Sequence, residues 1–125
     1  MQEILGVSVL SLLDPADRGT SANGSAVDIL DYEGQAAAIL QSAAGTGTTP
    51  TLDVKLQDSA DGSTGWADIA GGAFTQVGNA AASAQVLKFN ASAARRYIRA
   101  VATVGGTTPS FACAVSLVGK KQIIP

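Results

Sequence analysis

Apolar and polar residues alternate along most of this chain in short runs. TLDVKLQD (51–58) places Leu52, Val54 and Leu56 on one face and Asp53, Lys55 and Gln57 on the other. A period of two is the mark of a half-buried antiparallel strand. RYIRAVATV (96–104) sets Ile98, Ala100, Ala102 and Val104 against Tyr97, Arg99, Val101 and Thr103. SFACAVSLVG (110–119) groups Phe111, Cys113, Val115 and Leu117, while its other face holds Ala112, Ala114 and Ser116. Small residues there suit close packing by another surface. SAVDILDY (25–32), QAAAILQS (35–42) and QVLKFN (85–90) read as further strands, with GAFTQV (72–77) a weaker one. The predicted core is Leu52, Val54, Leu56, Ile98, Val104, Phe111, Val115 and Leu117.

Turn material separates the runs. Gly supplies positive φ, and Pro cannot donate within a central ladder, so both punctuate strands. The near-repeats GTTPT (47–51) and GTTPS (106–110) predict two hairpins of similar build, or a duplicated ligand loop. Many short strands without a convincing helix indicate an all-β fold. The expected architecture is an antiparallel β-sandwich, jelly-roll-like, over residues 26–125. Residues 1–25 are expected to form an N-terminal arm and linker: an apolar run from Ile4 to Leu13, then the polar DPADRGTSANGSA (14–26).

Composition narrows the function. At 125 residues the chain is one domain, of a size that buries roughly two-thirds of its unfolded surface. Charged residues are 14% against an ordinary value of about 25%. The surface is therefore largely Ala, Gly, Ser and Thr, which suits subunit contacts. A net charge of −2 offers no basic face for nucleic acid. The chain has no histidine, so the usual general base and the commonest metal ligand are missing. Its single cysteine, Cys113, excludes an internal disulfide and a cysteine-based zinc site, and reads as a small core residue. The first residues carry Glu3 and no early Lys or Arg, so a signal peptide is not expected, and the apolar run is too short for a membrane-spanning helix. Asn-x-Ser triplets at Asn23 and Asn90 then carry little weight as glycosylation sites.

LQDSADGSTGWADIAGG (56–72) gathers three acids, several hydroxyls and the only Trp. A calcium EF-hand loop requires a Glu at its twelfth position; counted from Asp58 that position is Ile69. Asp61-Gly62 is instead a strong hairpin dipeptide, with Ser59 and Ser63 placed to cap backbone donors. An irregular cation site on Asp58 and Asp61, and a sugar-stacking platform on Trp66, are the competing readings. Asp58 and Asp61 have no evident means of raising a pKa for catalysis. No enzyme activity and no cofactor or metal are expected.

Three stretches in order carry a family resemblance. Val27-Asp28, then Tyr32-Glu33-Gly34, open the first. Lys55 to Ser59, then Asp61-Gly62-Ser63-Thr64, form the second. Arg96-Tyr97-Ile98-Arg99, then Thr108-Pro109-Ser110, form the third. Together, over residues 26–119, they resemble head decoration (capsid cement) proteins of tailed bacteriophages. Gly65, between Thr64 and Trp66, departs from the pattern. The resemblance implies a β-sandwich on the outer surface of the virion capsid, made in the bacterial host cytoplasm. There it would bridge major capsid protein subunits and associate with itself, as a homotrimer. Neither nucleic acid nor membrane is an expected partner. A carbohydrate-binding or adhesion module, or a tail or connector component, is the alternative. Candidate capsid or subunit contacts are Ile4, Leu5, Val7 and Val9 of the arm, the basic cluster Arg95, Arg96 and Arg99, and Trp66. The arginines read either as solvated charges at a strand edge or as bidentate partners for carboxylates.

Overall fold

The computed structural model describes residues 7–121. These form eight strands: β1 (Val7–Arg18), β2 (Ala22–Asn23), β3 (Val27–Asp28), β4 (Tyr32–Ser42), β5 (Thr46–Ser59), β6 (Ala67–Ala73), β7 (Ser83–Asn90) and β8 (Tyr97–Lys121). Every pairing between them is antiparallel.

β8 organises everything else. Its 25 residues pair with β5 over residues 97–110 and with β4 over residues 113–121. Along its other side run β1, against residues 111–120, and the short β2 and β3, against residues 97–102. Two sheets result, with β8 interior to both. One has the order β1-β8-β4-β7, and the other has β2 and β3, then β8-β5-β6. With β8 divided at its bend and β2 and β3 counted as one interrupted strand, this is the strand order of a jelly roll. The expected all-β class is the observed one.

The bend is where the sequence misleads. GTTPT and GTTPS do not close two hairpins; they lie side by side in β5 and β8, with Thr48 opposite Thr107. Each strand carries an extra residue there. The register steps from Thr48↔Thr107 to Thr51↔Gly105 on one side and to Thr46↔Ser110 on the other. Paired bulges bend and twist both strands together, and this is how a strand pair passes from one sheet to the next. Thr49 and Thr108 take matching positive φ of 46° and 44°. Gly47 and Gly106, at φ 101° and 109°, face the opposing loop so closely that a Cβ on either would lie within 2.9 Å of its backbone. A local two-fold relation between the repeats explains their likeness without a ligand.

The core lies between the two sheets. Leu52, Val54, Leu56, Ile98, Phe111, Val115 and Leu117 are buried, with Val104 partly buried at the rim, so the predicted register holds. Leu12 and Leu13 of β1 are also buried, along with Ile29, Tyr32, Phe74 and Phe89. Two corrections follow. The expected arm over residues 1–25 is, from Val7 onward, part of the sandwich, because β1 is the edge strand against β8. Bulges between Ser11 and Leu13 and between Leu13 and Ala16 break the alternation, so adjacent leucines both turn inward and the run loses its strand signature. Each contributes about 1.5–3 kcal/mol by its burial. The expected linker is likewise tied down: Ala22 and Asn23 pair with β8, and the Val104 amide donates to Ser21 Oγ at 3.0 Å. The weak strand at 72–77 starts earlier, at Ala67, and continues irregularly along β5, with Phe74 bonded once to Val54 and Val77 in a reciprocal pair with Leu52.

Candidate functional site

Parts of the three stretches behind the resemblance meet at one end of the second sheet, namely Asp28, the end of β5 with its turn, and Arg96 to Arg99, while Thr108-Pro109-Ser110 lies at the bend and Tyr32-Glu33-Gly34 in the first sheet. β5 delivers Asp58 and Ser59, the following turn runs through Thr64 to Trp66, and β8 begins at Tyr97 just after Arg95 and Arg96. Arg95 binds both ends of the turn. Its Nε donates to Asp58 Oδ1 at 3.0 Å, and Nη2 donates to the carbonyls of Asp58 and Gly65, each at 2.7 Å. Arg96 forks onto Asp28 of β3, with Nη2–Oδ2 at 2.8 Å. That guanidinium, with the Leu30 amide, holds the Asp28 carboxyl below the usual carboxylate range, and Asp28 in turn raises Arg96. Arg99 donates to Gln57 Oε1 at 3.0 and 2.8 Å, and its guanidinium lies 4.3 Å from the Trp66 ring centroid. Each of the three candidate arginines therefore has a partner in its own chain.

The acidic turn is built on two side chains. Ser59, fully buried, donates to the Thr64 carbonyl and accepts from the Asp61 and Gly62 amides. Asp61 accepts from the Ser63 and Thr64 amides at 2.9 and 2.8 Å and from the Thr64 hydroxyl at 2.7 Å. Donors aimed at the ionised carboxylate favour its charged form, and the Asp61 carboxyl is held far below its ordinary value, chiefly by the Thr64 amide. Gly62 turns the chain at φ 78°. The carboxylate that a cation would need is occupied by the loop's own backbone. Among the described residues no three His, Cys, Asp or Glu side chains come together as a metal site.

Trp66 is half-buried, with Arg99 on one face in a cation–π contact. That face is closed to a stacked sugar. The outer surface of this sheet is otherwise a polar network: Lys55 pairs with Asp68 at 3.0 Å, Gln57 donates to Asp68 at 2.9 Å, and Gln76 donates to Asp53.

The arm candidates fall elsewhere. Ile4 and Leu5 lie outside the described residues. Val7 starts β1 opposite Lys120, and Val9, 65% exposed, stands on the outer face of the first sheet opposite Val118. The structure does not bring these arm residues together with the arginines and Trp66. It does place with Val9 residues that the strand patterns left unassigned: Ile39, Val118 and Val86, the last 64% exposed. The sequence signal was the small-residue face of SFACAVSLVG, which continues onto β4 and β7. Cys113 is buried in the same sheet, and burial pushes its thiol up against the opposing effect of nearby Arg18.

The strand order places the chain among two-sheet jelly rolls, a class that includes viral capsid and lectin domains. Among solved structures, the crystal structure of SPBc2 prophage-derived protein YomS resembles it over 95% of this chain and 98% of that one, with TM-score 0.51 and 9% sequence identity. At that identity the likeness is one of fold. No protein-family model matches the chain, and no curated protein matches it.

Proposed function

We propose that this chain is a structural subunit of a tailed-bacteriophage virion, a decoration protein that binds the outside of the head and bridges major capsid protein subunits. The observation that carries the proposal is the way the three ordered motifs interlock. Arg96–Asp28 joins the last stretch to the first, and Arg99–Gln57 joins it to the second. These contacts set one end of the sandwich. The prophage origin of YomS favours the same setting. The turn's committed carboxylate and the covered face of Trp66 support a structural role over metal or sugar binding. A subunit of this kind stabilises a shell because it binds the assembled lattice and not the separated subunits.

Co-sedimentation of purified protein with undecorated heads of its phage tests this. Saturable binding, with bound heads surviving heat or low salt that opens bare heads, is the expected result. Absence of binding to those heads refutes the proposal.

A further inference from the structure

The outermost strand of a sheet leaves one side of its backbone without a ladder, and proteins break such edges to keep other chains from pairing with them. All the edges here but one are broken. β1 carries Pro15 and two register shifts. β2 and β3 are two residues each, and β6 shifts register against β5 and turns at Gly71 with φ 70°. The edge along β7 is intact. Its eight residues, SAQVLKFN, hold one register against β4 with neither Pro nor Gly.

The bonding pattern fixes what that edge offers. The Ala91 amide donates to the Gly34 carbonyl at 2.8 Å, and bonded pairs recur at every second residue of an antiparallel ladder. Phe89, Leu87 and Gln85 therefore bond to β4, while Ala84, Val86 and Lys88 turn their N–H and C=O groups away from it. None of these outward groups has a backbone partner among the described residues. Behind the edge, between β6 and β7, lies a cleft of about 420 Å³. Ile69, Phe89 and Ala94 line it alongside Asp68, Lys88 and Asn90.

We propose that β7 accepts an added strand, an extended segment of a partner polypeptide that is apolar at alternate residues and carries an acid on its other side. Main-chain bonds to Ala84, Val86 and Lys88 hold the segment, and its side chains meet two different features. Those on the core side stand beside Leu87 and Phe89, at the cleft, where an apolar residue is needed to fill it. Those on the solvent side stand beside Val86, 64% exposed, and Lys88. Lys88 lies opposite Ala37 of β4 and has no ion-pair partner among the described residues. Asp68, which shares the cleft, is taken by Lys55 and Gln57. An acid on the added strand supplies the missing charge. The β7 of a second copy fits less well: it has no acidic residue, and its Leu87 and Phe89 are packed into its own core. The inference does not depend on the capsid reading.

Amide hydrogen exchange, followed by NMR in the full-length protein, is the test. In the free protein the amides of Ala84, Val86 and Lys88 exchange fast, while those of Gln85, Leu87 and Phe89 are protected. The probes are capped octapeptides in which Val alternates with Thr, one central Thr being replaced by Glu or by Lys. The Glu peptide is expected to protect the bare amides and to bind at least about threefold tighter than the Lys peptide. Lys88→Glu reverses that order. Val86→Pro removes one outward N–H without touching the ladder to β4, and abolishes binding; if circular dichroism shows it unfolded, Ala84→Pro takes its place. Bare amides already protected in dilute protein overturn the inference, as does the absence of protection by either peptide at millimolar concentration. So does a peptide preference indifferent to Lys88, or protection that grows with protein concentration alone, which would make a second copy the occupant.

Discussion

Phe111→Ala tests whether β8 is the centre of this molecule. The ring is fully buried, in the part of β8 just beyond the paired bulges. An aromatic side chain buries about 150–250 Å², and at about 25 cal/mol per Å² its removal, with the cavity left behind, costs about 3–5 kcal/mol. That is a large part of the roughly 5–15 kcal/mol that holds a domain of this kind folded. Gly45 supplies the internal control. A Cβ placed there would sit 2.5 Å from both Cε1 and Cζ of Phe111, and 3.1 Å from Pro50 Cβ. Gly45→Ala alone should therefore overpack the site, at about 1–3 kcal/mol. In the Phe111→Ala background the same methyl enters vacated space, so the two losses should fall short of additivity by about 1–3 kcal/mol. Urea unfolding of the four proteins measures the cycle. A Phe111→Ala loss below about 1 kcal/mol, or strict additivity, would refute this account of the packing.

The acidic turn and its clamp yield two more tests. The folded-state pKa of Asp61 lies below its unfolded value of 3.8, so its stabilisation is complete above the unfolded value and is lost as pH falls towards the folded one. Asp61→Asn should lower the urea midpoint at pH 7 and flatten the decline of stability below about pH 4; an unchanged acid profile would remove Asp61 from its capping role. Arg95→Lys should cost nearly as much as Arg95→Ala, about 1–2 kcal/mol, because an ammonium cannot reproduce the fork onto Asp58 and the Gly65 carbonyl. If lysine restores full stability in thermal melts, charge alone holds the turn.

Much of the chain from β5 onward was legible. β5 and both halves of β8 alternate cleanly because each has one face in the core and one in solvent, and a period of two records that directly. The turn at Asp61 was legible for a similar reason, since its side chains act within six residues of sequence. Three things were not. β1 was hidden by bulges that put Leu12 and Leu13 on one side, so the run reads as merely apolar. The GTTP repeats looked like chain reversals because Gly and Pro mark a bend without saying whether the chain turns back or passes to another sheet. The arginines looked like a basic cluster on one strand, yet their partners Asp58 and Asp28 are 37 and 68 positions away from Arg95 and Arg96, beyond any local pattern.

The placement of β8 also governs the order in which the molecule can be completed. It is synthesised after every other strand described, yet β1, β2, β3, β4 and β5 all pair with it. Until it emerges from the ribosome, only the β5–β6 and β4–β7 ladders have both of their partners. Two separate strand pairs must then wait, each with a bare edge, for a single segment to be laid between them. Long-range pairing of this kind is slow and exposes unpaired strands to other chains. Folding should thus wait for β8, and a nascent chain stalled before Tyr97 should be sensitive to protease while the completed protein resists it.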